Sequence, residues 1–237
     1  MNEAEAARRL PALMARLNPG GEGRGGTLKT IAPRAWVAAV EQSFGVRNGN
    51  AKGAAERMLS IAMAQGWHDG RLAFSYYAKG RSLASSDPVQ AVAALSQAGQ
   101  IYRSIPGAQV HVAHVDMQLA AIALSAGQSD QAIAFADRAI PVVKRAENAS
   151  LLATLMLIKA EALENEGRVA EAKALRLDSL GWARYAFGSD AQVRARMDDI
   201  AALAARGAAE IALVDVGNER CRRWQINSTP WVFHRGN

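Results

Sequence analysis

Two segments decide how this chain is read: QLAAIALSAGQSDQAIAFADRA at residues 118–139 and IKAEALENEGRVAEAKALRLDS at residues 158–179. Set one above the other, they place Ala120 over Ala160, Gly127 over Gly167, Ala132 over Ala172 and Ala139 over Ser179, at a constant interval of 40 residues. Between these small residues the aliphatic side chains return every three or four positions, the spacing of one face of a helix. Each segment therefore predicts a helix, a glycine turn and a second helix. Small residues where two antiparallel helices cross let the pair pack at the short end of the usual interaxial range. Gly127 and Gly167 supply the left-handed backbone that ends a helix.

The same register extends towards the N-terminus. Gly80 and Leu83 align with Ala120 and Ala123 and with Ala160 and Leu163, while Ala91 and Ala98 take the second-helix positions. The turn of this copy, Ser85-Ser86-Asp87-Pro88, is one residue shorter. A weaker fourth copy has Trp36 in its first helix and Ala55 and Ala62 in its second. Periodicity and breaker residues predict helices near 33–44, 51–65, 68–84, 88–104, 109–125, 129–145, 149–165, 168–186 and 190–206. Pro141 is expected to kink or end the helix that contains it.

Upstream, a helix is expected from about Asn2 to Leu17, stopped by Asn18-Pro19-Gly20-Gly21, and Gly20 to Thr30 reads as a flexible connector. Residues 1–32 thus form an N-terminal helix and linker, 33–206 the repeat domain, and 207–237 an irregular tail. Within the tail, Ile211 to Val216 and Trp231 to Phe233 are short strand candidates, each too isolated to make a sheet. The aromatics Trp182, Tyr185 and Phe187 read as the seal at the end of the stack. Val193, Met197, Ile200 and Leu203 give the following helix one apolar stripe, which makes it the closing cap.

Over roughly residues 67 to 187, and as far back as 33 if the fourth copy counts, the pattern resembles the tetratricopeptide repeat family. Ala120, Gly127, Ala132 and Ala139, and likewise Ala160, Gly167 and Ala172, stand where that family has its small first-helix residue, its helix-ending glycine and its two second-helix alanines. The family repeat is about 34 residues long. A 40-residue interval implies longer helices, as in the lengthened variants of some regulators and scaffolds, and most of the family's large aromatics are missing. The resemblance implies an all-α, right-handed superhelix of three to four hairpins with a capping helix, whose first helices line a concave groove for a protein or peptide. In the family register the groove positions are Phe74, Tyr77 and Arg81, then His114, Met117 and Leu124, then Thr154, Leu157, Glu161 and Glu164. Such a groove is basic at one end, apolar in the middle and acidic at the other.

Composition narrows the remaining classes. Half of the 237 residues are hydrophobic, enough for a substantial core, and much of that content is alanine, the strongest helix former. The net charge of +6 is dispersed among acidic residues, and Arg8-Arg9 and Arg222-Arg223 are only doublets, which argues against a nucleic-acid partner. Cys221 is the sole cysteine, so neither an intrachain disulfide nor a multi-cysteine metal site is available. No apolar run reaches the length of a membrane span and the N-terminus has no secretory core, so a cytoplasmic protein is expected; an exported mature form would read the same.

Chemical motifs are sparse. Lys29-Thr30 follows glycines as in a phosphate-binding loop, but Leu28 stands where a glycine is required and no strand leads in. His111 and His114 lie three apart on one helix without a carboxylate or thiol to complete a metal set, Asp116 facing elsewhere. Cys221 has no activating motif, and Asp198-Asp199 diverge by about 100 degrees on a helix. No catalytic residue, metal or cofactor is assigned, and a non-enzymatic binding protein is expected. Two further classes stay open: a sensor module of a transcriptional regulator, and an enzyme with a pocket built on Trp182, Tyr185 and Phe187.

Overall fold

A computed structural model of the chain describes residues 27–44 and 50–215, with side chains placed for 33–44 and 50–207. Within these bounds the protein is all-helical: α1 (Thr27–Phe44), α2 (Ala51–Ala64), α3 (Gly70–Leu83), α4 (Pro88–Arg103), α5 (Gln109–Ser125), α6 (Ser129–Arg145), α7 (Ala149–Asn165), α8 (Val169–Phe187) and α9 (Asp190–Asp215). Each helix from α1 to α8 packs against its successor. The first helices of the last two hairpins, α5 and α7, also meet directly. This is the architecture of a helical repeat.

Local chemistry sets the helix ends. The side chains of Asn50, Asp69, Asp87 and Asn148 accept hydrogen bonds from first-turn amides, and Pro88 stands at the start of α4, where its missing N–H costs nothing. Four helices end alike. The N–H of Trp67, Gln128, Asn148 and Arg168 donates to the carbonyl of Ala62, Ala123, Val143 and Leu163 respectively, across a residue with positive φ. That residue is glycine at 66, 127 and 167, and glutamate at 147, where φ is 53°.

The small residues at the helix crossings are buried, whereas the turn glycines Gly127 and Gly167 are not. Gly80, Ala91, Ala98, Ala120, Ala132, Ala139, Ala160, Ala172 and Ser179 are all enclosed, as are Ala55 and Ala62 of the weaker copy. At the α3–α4 crossing, a Cβ on Gly80 would lie 2.6 Å from Leu95 Cγ and 3.0 Å from the carbonyl oxygen of Ala91. Larger side chains fill the space between crossings: Met58, Leu83, Leu95, Val115, Val143, Leu155 and Leu163 are wholly enclosed. The N-terminal hairpin adds an aromatic cluster in which Trp36 meets Trp67 and Phe74 edge-on and donates from Nε1 to Ser75 Oγ at 2.9 Å.

Some expectations change. Helix α1 begins at Thr27, so Thr27–Thr30 are its first turn instead of connector, and it continues through Pro33. Pro141 does not end α6, which runs on to Arg145; the proline lies on the exposed side, where water can serve the carbonyl that its ring leaves unpaired. Ile211–Asp215 belong to α9 and are not a strand. The helix expected at 2–17 and the candidate at Trp231 to Phe233 lie outside the described residues. Among the described residues no helix is long and apolar enough to cross a membrane.

Candidate partner-binding face

The first helices α3, α5 and α7 carry the groove positions expected from sequence, and the structure sorts those positions into three groups. On α3, the i, i+3, i+7 spacing puts Phe74, Tyr77 and Arg81 on one stripe. Phe74 stacks between Phe44 of α1 (5.2 Å between centroids) and Tyr77 (6.1 Å), and the Arg81 guanidinium lies 4.7 Å over the Phe44 ring. Tyr77 reaches across to α5, where Gln118 Nε2 points at its hydroxyl from 3.5 Å, the outer limit of a hydrogen bond. This half-buried ladder of rings and guanidinium meets α5 at Gln118, one helical turn after His114.

The second group is apolar and lies under α9. Met117, Leu124 and Leu157 share one cluster with Ala120, Ile158 and, from α9, Met197, Ile200 and Ala204. Leu124 and Leu157 are buried there, and Thr154 is buried too, its hydroxyl donating to the Ser150 carbonyl at 2.9 Å. Helix α9 contacts α5 and α7 as well as α8. A helix that only closed the stack would rest on the last hairpin; this one also reaches the hairpin before it. Farther along α9 a Cβ on Gly207 would strike the Leu124 carbonyl oxygen and lie 2.5 Å from Gly127 N, so backbone meets backbone there.

The acidic pair forms the third group. Glu161 and Glu164 both bind Arg176 of α8, Glu161 at 2.6 Å. They join the two helices of one hairpin instead of extending the apolar stretch.

One ion pair escaped the sequence reading. Asp116, only 3% exposed, accepts from Arg138 of α6 at 2.8 Å, and that guanidinium covers Phe135. Asp116 therefore faces α6. Burial pushes His114 down to about 4, with His111 adding to the effect, and pushes His111 down as well. The His111 ring lies 5.0 Å from Tyr102, and its buried Nδ1 has no hydrogen-bond partner among the described residues. Among the described residues no three His, Cys, Asp or Glu side chains gather as a metal set.

The aromatic trio at the end of the stack divides. Trp182 and Phe187 pack against the cluster of Ala153, Ala183 and Val193, whereas Tyr185 is 83% exposed. Trp182 also lines an apolar depression of about 200 Å³ with Ile140, Leu152, Met156 and Leu175, rimmed by the Lys159–Asp137 pair.

No family model matches the chain, and neither does any curated protein or any solved structure. The class that the geometry defines is an all-α protein of helical-repeat type.

Proposed function

We propose that the chain is a binding scaffold of tetratricopeptide-like type that holds another protein or a peptide along the face of its first helices, with no catalytic role. On this reading the hairpins wind into the right-handed superhelix of that family. One observation carries the proposal: the face already takes an amphipathic helix, since α9 seats Met197, Ile200 and Ala204 on Met117, Leu124 and Leu157. Beside that seat, the Phe74–Tyr77–Arg81 ladder offers ring faces and a guanidinium, the groups that dominate the energetics of many protein interfaces.

The test is affinity capture on the immobilised full chain, comparing the natural sequence with a Tyr77→Ala/Arg81→Ala variant and with a Val169→Ala/Leu177→Ala control on the exposed surface of α8. Specific retention of a protein that the first variant loses and the control keeps is the expected result. Equal retention by all three removes the first-helix face from consideration.

A further inference from the structure

The seat of α9 is spread differently from the contacts that hold α1 to α8 together: α9 touches its sequence neighbour α8 less than each earlier helix touches its own, and lies across α5 and α7 as well. Within the hairpins the small residues of the repeat register are enclosed, Ala120 and Ala132 in one cluster and Ala160 and Ala172 likewise buried. Helix α9 is joined to them through Gly188, whose φ is 80°, and Ser189. Its polar ties to α8 sit at that hinge: Arg184 meets Asp190 at 3.1 Å, both largely exposed, and Arg196 lies 5.7 Å from the Phe187 ring. Beyond the hinge, α9 meets α5 and α7 through aliphatic and alanine side chains and the bare backbone of Gly207. Its opposite face, with Arg194, Asp198, Asp199 and Arg206, is exposed.

From this arrangement, and resting on the binding-face proposal above, we infer that α9 is a displaceable occupant of the first-helix face, and that the partner is an amphipathic helix with the same kind of stripe. That stripe has aliphatic residues at three- and four-residue spacing followed by small residues where the backbones approach. Without α9 the apolar cluster that includes Leu124, Leu157 and Ile158 would lose the cover that Met197, Ile200 and Ala204 give it, and soluble proteins rarely expose large contiguous apolar patches. The face therefore exchanges one helix for another. Gly207 makes the seat selective: a side chain there would strike the Leu124 carbonyl, so a competing helix must also present glycine or a similarly small residue at that point. Binding is regulated in this scheme, because the partner's apparent affinity is reduced by the fraction of chains in which α9 is seated.

The test uses the full chain and a fluorescent peptide with the sequence of residues 190–215. The natural chain and two unseated variants, Gly207→Val and Ile200→Asp/Ala204→Asp, are titrated with the peptide. The expected result is at least roughly tenfold tighter binding by the unseated chains than by the natural one, with the helical circular dichroism of α1–α8 retained. Equal or absent binding by well-folded variants overturns the inference. Should the variants lose their helicity altogether, native-state hydrogen exchange on the natural chain decides. Amides of α9 that exchange at least about tenfold faster than those of α7 support a separately opening helix, and exchange of both in one step refutes it. If the peptide fails to bind while Tyr77→Ala/Arg81→Ala still abolishes capture, the exchangeable helix is wrong and the binding face stands. If the peptide binds but capture is unaffected, the binding-face proposal fails by itself.

Discussion

Gly80 and Leu95 touch so closely that a methyl group on the glycine would lie 2.6 Å from Leu95 Cγ, nearer than two carbon atoms can approach. A glycine inside a helix costs about 1 kcal/mol relative to alanine. At this site the empty position is what lets α3 and α4 cross, and Gly80 holds the place that Ala120 and Ala160 hold in the next two hairpins.

Gly80→Ala should therefore destabilise the protein although it improves helix propensity. Overpacking of this kind costs about 1–3 kcal/mol. Urea denaturation followed by circular dichroism measures it. A rise in the midpoint would mean that α3 and α4 are farther apart than described.

Glu147 sits at φ 53° in the turn after α6, in the slot that glycine fills after α2, α5 and α7. A side chain with a Cβ pays about 1 kcal/mol or more to hold that backbone. Glu147→Gly should raise stability by about 1 kcal/mol in the same denaturation experiment, and Gly127→Ala should lower it by a similar amount.

Arg138 shields the carboxylate of Asp116, which is 5% exposed, while remaining half exposed itself. Arg138→Met keeps much of the aliphatic contact with Phe135 but removes the cation. The variant should lose about 1–3 kcal/mol, the cost of a buried polar group left without its partner. Arg138→Met combined with Asp116→Leu should recover part of that loss, and a double-mutant cycle on thermal unfolding reads the coupling.

His111 and His114 predict a pH dependence. Both imidazoles titrate below their usual value because burial disfavours the charged ring, His114 at about 4. In the unfolded chain they titrate at about 6.5, so as the pH falls the unfolded chain binds protons that the folded chain refuses. Their contribution is complete above about pH 6.5 and declines from there towards pH 4. Between pH 6.5 and 5, where most carboxylates are still ionised, a His111→Gln/His114→Gln variant should show a flatter stability profile than the natural chain. An unchanged slope would assign the effect to other groups.

The repeat was legible because its physics is local. Gly127 and Gly167 end helices where they stand, and Ala120, Ala132, Ala160 and Ala172 mark crossings between neighbours in sequence. What sequence did not show depends on distant partners. Met117, Leu124 and Leu157 read as apolar groove positions, but nothing local says whether a partner or a later helix covers them, and it is α9 that packs on them. The helix expected near 190–206 runs on through Gly207, which is a point of close approach inside a longer helix. Glu161 and Glu164 looked like the acidic end of a groove until Arg176 claimed both. Glu147 in a left-handed turn has no sequence signature at all.

Methyl resonances of methionine test the central claim most directly. Met117 and Met197 lie between α5 and α9 on the first-helix face, whereas Met63 is exposed on α2 and Met156 is buried between α6, α7 and α8. With 13C-methyl methionine in the full chain, adding the captured partner should shift Met117 and Met197 and leave Met63 and Met156 in place. Shifts confined to Met63 or Met156, with Met117 and Met197 unmoved, would contradict the account.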